Sequence, residues 1–339
     1  MKKIIFTAAI ASLLAANSYA REDIRIVGSS TVYPFITVAA ENFANSGKFN
    51  APVVERNGTG AGFEMFCSGV GAKTPDFVNA SRQIKDSERE SCKKNGVDKV
   101  AEIKIGYDGI VLGVSQKSDD FNITKEQFFL ALSRNVPKDG KLVRNFYKKW
   151  SDIDKSLPDR KISVYGPPPT SGTKDALVEI VMEKSCEKFP EYAKANPDKN
   201  NLKMACSQIR EDGVYIQGTE NDNITISKIV INDNAVGVFG YSYYEENMDK
   251  VKAAKVAGVE PSFENIYEGK YPISRSLFVY AKMNNEKVVP GISEFIKEII
   301  SPRAMGEEGY FADKGMIPLH EDELKTVRKD IKDGVLLKL

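Results

Sequence analysis

Gly166-Pro167-Pro168-Pro169-Thr170-Ser171-Gly172-Thr173 carries no lysine or arginine and stands between a short strand, Ile162 to Tyr165, and an amphipathic stretch, Lys174 to Lys184. A Ser-Gly-Thr at a helix start offers hydroxyls and unpaired backbone N–H groups, and the helix dipole adds partial positive charge there. That combination receives an anion. Gly28-Ser29-Ser30-Thr31 and Gly58-Thr59-Gly60-Ala61-Gly62 are of the same kind, each following a strand signal and opening a helix signal. Alternation of strand and helix argues an α/β architecture. Three such turns in one chain point to a single oxyanion held from several sides.

Working outward, Ile24 to Gly28, Pro52 to Glu55 and Asp76 to Ala80 read as strands. Thr37 to Ala44, entered through Tyr33-Pro34, Gly62 to Gly69 and the charged Asp86 to Lys94 read as helices. Ile103 to Ser115 is an apolar β-branched run that the Asp108-Gly109 turn signal breaks. The pattern restarts at Thr124 to Ser133, a helix. Lys184 to Asn201 reads as one charged helix, Ser227 to Ile231 as a helix end, Ala235 to Phe239 and Ser276 to Ala281 as strands, and Pro290 to Ile300 as a helix. Gly306 to Leu319 reads as a helix plus turn. The break at Asp108-Gly109 and the return near Pro272 mark two crossovers between lobes. Residues 21–109 plus 272–339 are expected to form lobe 1, and residues 110–271 lobe 2.

The start of the chain reads as an export signal: Lys2 and Lys3, an apolar run from Ile4 to Ala16, then Ser18-Tyr19-Ala20 as the cleavage site. Residues 1–20 would be removed and Arg21 would begin the mature protein, placing it in the periplasm. Taking Lys2 and Lys3 from the 48 basic residues leaves them one short of the 47 acidic ones. This balance gives no electrostatic case for binding nucleic acid or a membrane surface. The four cysteines, Cys67, Cys92, Cys186 and Cys206, fit an oxidising compartment. Three pairings exist, and short separations favour the local bridges Cys67–Cys92 and Cys186–Cys206, each worth about 3 kcal/mol. No Cys-x-x-Cys occurs and His320 is the only histidine, so no metal site and no cofactor are expected.

Five segments, in order, resemble the phosphate-binding protein of bacterial phosphate ABC transporters: Val27 to Phe35, Asn57 to Phe63, Asn79-Ala80-Ser81-Arg82, Gly106-Tyr107-Asp108-Gly109-Ile110, and Gly166 to Asp175. The resemblance implies a two-lobed periplasmic-binding-protein fold of type II, a mixed sheet with flanking helices in each lobe, and one inorganic phosphate in the cleft. It also implies an ABC permease as partner, a monomer, and no catalysis. It puts the Ser30 and Thr31 hydroxyls and the Val32 N–H on the anion, with Thr59 from the second turn and Ser171, Gly172 and Thr173 from the other lobe.

Two positions depart from the better-known pattern of that family. Ser81-Arg82 stands where some members have Ser-Asp, and Pro167 stands where those members have an arginine. Arg82 is therefore expected to supply the cation, and Asp108 to accept the phosphate proton, ahead of Glu64 and Asp175. Simpler readings stay open beside these. Ser171 can be an ordinary N-cap, Asp108 a hinge turn, Arg82 a surface partner of Glu88 or Asp86, and Arg275 a structural hinge residue. The same fold binding sulfate or molybdate is the first alternative. A secreted phosphatase or serine hydrolase is a weaker one, because Ser171 lacks a Gly-x-Ser-x-Gly setting and no histidine accompanies it.

Overall fold

The computed structural model describes residues 21–339 apart from Thr170 and Glu220. The export signal read in residues 1–20 lies outside the described residues. Nine strands form the main sheet: β1 (Arg25–Gly28), β2 (Val53–Val54), β3 (Phe77–Ala80), β4 (Val100–Ser115), β5 (Val164–Gly166), β6 (Tyr215–Gln217), β7 (Val236–Gly240), β8 (Val251–Ala253) and β9 (Ser274–Lys282). Their hydrogen-bonded order is β2-β1-β3-β9-β4-β7-β5-β6, with β8 pairing β4 as well. The pairs β1/β2, β1/β3, β5/β7 and β5/β6 are parallel, and β9 is antiparallel to both β3 and β4. The sheet is thus mixed.

β4 joins the two lobes. Its residues up to Gly109 pair with β9, down to Gly109↔Ser274, and from Ile110 onward it pairs with β7, beginning at Ile110↔Gly240. The expected break at Asp108-Gly109 is absent. Both residues stay extended because each finds a ladder partner, Arg275 for Asp108 and Ser274 for Gly109. A ladder of backbone hydrogen bonds outweighs the local turn preference of Asp-Gly. The two strands also give the crossover a buried anchor: Tyr271 lies inside and its hydroxyl donates to the Ile110 carbonyl at 2.9 Å.

In lobe 1, α1 (Tyr33–Ala44) follows β1 and carries Pro34 in its first turn, where no N–H is needed. It buries Phe35, Ile36, Ala39, Ala40 and Phe43 along one face. Each large apolar side chain so buried contributes about 1.5–3 kcal/mol. α2 (Thr59–Phe66) packs on the opposite face through Phe63 and Phe66, and begins three residues earlier than the sequence suggests, so Thr59 is its first residue. α3 (Asp86–Lys94) has Asp86 and Glu88 in its first turn and Lys93 and Lys94 in its last, matching the helix dipole. The Cys67–Cys92 bridge ties it to the end of α2.

In lobe 2, α4 (Gly172–Ala176) runs on into a π-helical segment, Leu177–Glu183, and then Lys184–Cys186. The single helix expected over Lys184 to Asn201 is instead several short ones, with Pro190–Ala195 and Lys199–Ser207 following the first turn. Pro190 and Pro197 interrupt it, since proline lacks the N–H and restrains the residue before it. The Cys186–Cys206 bridge holds the ends of this region together. The final helix, Glu321–Lys332, was not anticipated, although Leu324, Val327 and Ile331 recur on one face behind an acidic first turn.

Candidate functional site

Three turns of lobe 1 converge because their backbones touch. Gly28 has φ +128°, and a Cβ there would fall 2.2 Å from the Asn79 carbonyl oxygen. A Cβ on Gly62 would lie 2.6 Å from the Gly28 Cα, so α2 seats directly against the end of β1. Glycine is required at both places. The Gly28 carbonyl accepts from the Asn57 and Gly58 N–H groups at 2.9 and 2.8 Å, and the Ser29 N–H donates to Asn79 at 2.9 Å. These bonds fix the Ser-Ser-Thr turn, the Gly-Thr-Gly turn and the Asn79 to Ser81 strand end as one surface.

Hydroxyls line that surface. Thr31, Thr59 and Ser81 are all buried. The Ser81 N–H donates to Thr59 Oγ1 at 3.2 Å, and the two hydroxyl oxygens are 3.0 Å apart. Ser30 is half-buried. The Val32 N–H has only a long contact, 3.4 Å, with Ser29 Oγ.

Lobe 2 presents the start of α4. Ser171 caps it, its Oγ accepting from the Thr173 N–H at 3.2 Å. Its own O–H stays free to donate elsewhere, so capping and anion binding are compatible. Tyr215 braces the proline run by donating to the Pro167 carbonyl at 2.8 Å. A Cβ on Gly172 would sit 3.4 Å from the Thr31 Cα. The third turn therefore meets the first across the cleft, in van der Waals contact.

The cation of the cleft is Arg275, on β9. Its Nη2 donates to Thr31 Oγ1 at 2.7 Å, its Nε to Asp108 Oδ2 at 3.3 Å, and its Nη1 to Glu179 Oε2. The side chain is only 11% exposed. Ladder pairing with Asp108 sets this position, so the hinge reading of Arg275 gives way to a place inside the cleft.

Arg82, expected as the cation, is engaged by Glu88 in this structure. Both of its Nη atoms bond Glu88, at 2.9 and 2.7 Å, and its guanidinium lies 5.7 Å from the Phe63 ring. Glu88 is held in turn by the Lys85 N–H at 2.8 Å at the start of α3. Arg82 is thus partly exposed and paired with Glu88, while its neighbour Ser81 is buried. Glu64 is exposed on α2.

Three carboxylates surround Arg275. Burial pushes Asp108 up from the usual carboxylate range, against the pull of Arg275. Burial also raises Asp175, opposed by a hydrogen bond from Ser30 of the facing lobe. Glu179 Oε2 accepts from Ser81 Oγ at 3.1 Å as well as from Arg275. Asp175 and Glu179 lie four residues apart on one face of the same helix, and each grips lobe 1. Lys174, next to them, turns away onto the Tyr215 ring at 4.1 Å, where burial lowers its pKa to about 8. The arrangement can hold a small oxyanion between neutral hydroxyls, two helix starts and one guanidinium. Ser81, Glu179 and Arg275 extend the set read from the sequence. The Asp175/Glu179 spacing and the Arg275 after Tyr271-Pro272 were its available signals.

A family model described as a PBP superfamily domain matches residues 15–303. The phosphate-binding protein PstS of Staphylococcus epidermidis is 31% identical over 311 residues, covering 90% of this chain and 82% of that one. That of Staphylococcus haemolyticus is 33% identical over 310 residues, with 89% and 84% covered. Among solved structures, a possible phosphate binding protein from Planctomyces limnophilus matches with TM-score 0.73 and 26% identity over 92% of this chain and 98% of that one. An ABC-type phosphate transport receptor from Vibrio cholerae, 19% identical with TM-score 0.57 over 87% and 99%, shares the fold.

Proposed function

Because this chain belongs to the PBP superfamily and, within it, to the phosphate-binding PstS proteins, we propose that it captures inorganic phosphate outside the cytoplasm and delivers it to an ABC permease. The observation that carries the reading is the meeting of Arg275, Thr31, Thr59 and Ser81 of lobe 1 with the Ser171-Gly172-Thr173 helix start of lobe 2. An anion taken from water into a cleft is stable only when its oxygens are hydrogen-bonded throughout. Neither lobe alone supplies that shell. Occupancy thereby becomes closure, and closure is what a permease can recognise.

Ser30, Thr31, Val32, Thr59 and Ser81 would serve one side of the anion and Ser171, Gly172 and Thr173 the other, with Arg275 as the charge and Asp108 behind it. The protein would act as a monomer without catalysis, and Arg21 would be its first residue after export. Calorimetric titration of the ligand-stripped protein with phosphate, arsenate, sulfate and molybdate tests this reading. Tight binding of phosphate and arsenate with weak sulfate and molybdate binding is expected. Preference for sulfate or molybdate would overturn it.

A further inference from the structure

The near-neutral net charge of the chain conceals a local excess. One stretch carries Arg134, Lys138, Lys141, Arg144, Lys148 and Lys149 against Asp139 alone. It builds a two-stranded sheet of its own outside the nine-stranded one, with Asn135–Lys138 antiparallel to Lys141–Arg144. Asp139 and Gly140, with φ +51° and +74°, form the tight turn between the strands. The base of this hairpin is fixed to lobe 2. Val136 is buried, the Tyr192 hydroxyl donates to the Asn135 carbonyl, and Asn145 Nδ2 donates to the Leu130 and Ser133 carbonyls at 2.8 and 2.7 Å. Its tip, residues 138–141, is exposed.

Lys148 and Lys149 pair with Asp212 and Asp159, at 3.6 and 3.0 Å. Arg134, Lys138, Lys141 and Arg144 are exposed, and none of them has a carboxylate within ion-pair distance among the described residues. Lys138 and Lys141 stand directly opposite one another in the ladder, an unfavourable like-charge pair. Beside them folding leaves an apolar side chain outside. Phe146 is 44% exposed, its ring 5.0 Å from Lys138 Nζ and 4.6 Å from the Tyr147 ring. Lysines alone can guard a strand edge against pairing; an exposed phenyl ring among them works against that purpose. Cations set around an apolar ring fit a surface that is anionic at its face and apolar just beneath, the construction of a phospholipid headgroup layer. An acidic protein surface satisfies the charges but gives no account of the ring.

We propose that this hairpin, with Phe146, docks the protein on a membrane surface rich in anionic phospholipid. The cations lie among the phosphate headgroups and Phe146 dips below them, flanked by the lysine stems. Each basic residue near such a surface favours binding about fivefold, and Asp139 offsets one of the four, so the net preference for anionic over neutral lipid is about a hundredfold. Such docking is weak and reversible. The inference goes beyond the phosphate reading, rests on the hairpin and needs nothing in the cleft.

The test is sedimentation of the mature chain from Arg21, without phosphate, with vesicles of phosphatidylcholine alone and of phosphatidylcholine mixed with phosphatidylglycerol. Binding to the mixed vesicles should be about a hundredfold tighter than to the neutral ones, and lost at about 1 M salt, where the Debye length is about 3 Å. Lys138→Ser combined with Lys141→Ser should weaken it about twenty-fivefold, and Phe146→Ser should weaken it as well. Lys325→Ser combined with Lys329→Ser removes the same charge from the final helix and should leave it unchanged. Equal binding to both vesicle types, or to neither, would overturn the proposal. So would a final-helix variant that loses as much as the hairpin variant, because net charge rather than the hairpin would then be acting. Phe146→Ser with unaltered vesicle binding would also overturn it, leaving an acidic macromolecule as the partner of the charges. Should a hairpin variant fail to fold by thermal melting, amide exchange on the unaltered chain decides: mixed vesicles should slow exchange at residues 135–146, and slowing confined to other segments would refute the site. Phosphate affinity is a separate measurement, and its failure would leave the vesicle result standing.

Discussion

Replacing Arg275 by alanine removes the one guanidinium among the described residues that bonds both a cleft hydroxyl, Thr31, and two cleft carboxylates, Asp108 and Glu179. A hydrogen bond to a charged group contributes about 1.5–3 kcal/mol. Two such bonds from the guanidinium fork to phosphate oxygens amount to about 3–6 kcal/mol, roughly a hundred- to ten-thousand-fold in Kd. The expected loss on Arg275→Ala is of that order, and larger than for any single hydroxyl deletion. Arg275→Lys should recover part of it, because an ammonium is a point charge and lacks the planar fork. Arg82→Ala is the matched control. Its guanidinium is a partly exposed partner of Glu88, and such pairs are worth about 0.2–1 kcal/mol of stability. Phosphate affinity should stay within about twofold, since no shared partner couples Arg82 to the anion. Titration of both variants with phosphate, alongside thermal melts to verify folding, is the assay. A folded Arg82→Ala protein that loses more affinity than Arg275→Ala would refute the assignment of the cleft cation.

Gly62→Ala should destabilise lobe 1 by about 1–3 kcal/mol, the usual cost of overpacking, because the new methyl would lie 2.6 Å from the Gly28 Cα and 2.9 Å from Val78 Cγ2. Urea unfolding with an unchanged midpoint would contradict the close approach. Asp175→Asn should raise the melting temperature at neutral pH. Burial lifts the Asp175 pKa in the folded state, so its contribution to stability is fully present below the ordinary carboxylate range and is lost as the pH rises through the folded value. The gain of the variant should therefore vanish on acidification, and a gain that persists in acid would show that desolvation of the charge is not its source.

Much of this was legible in the sequence because local rules dominate there. The three helix-start turns, the strands at Ile24 and Asp76, and the charged helix Asp86–Lys94 follow from periodicity and turn chemistry alone. The two bridges follow from spacing. What escaped depends on partners far away in the chain. Asp108-Gly109 looks like a turn until Arg275 and Ser274, over 160 residues later, supply its ladder. Arg82 and Arg275 compete for one role in any reading by motif. Glu88, itself held in a capping geometry at the start of α3, takes both Nη atoms of Arg82, a pairing that motif reading does not rank against a place in the cleft. Glu179 was hidden in an ordinary amphipathic stretch, and only the facing Ser81 and Arg275 give it meaning.

The position of β9 governs the order of assembly. β3 and β4 follow one another in the chain, yet they never pair; β9 is wedged between them at the middle of the sheet. Until Ser274–Lys282 has been delivered, the two halves of that sheet are separate edges with unmet backbone groups. The pairing of β4 with β7, of β7 with β5 and of β5 with β6, by contrast, draws only on strands between Val100 and Gly240. A chain made only as far as Gly240 would hold the strands of one half and lack the middle strand of the other. Until Ser274–Lys282 is in place, the open edges of β3 and β4 are where self-association would begin.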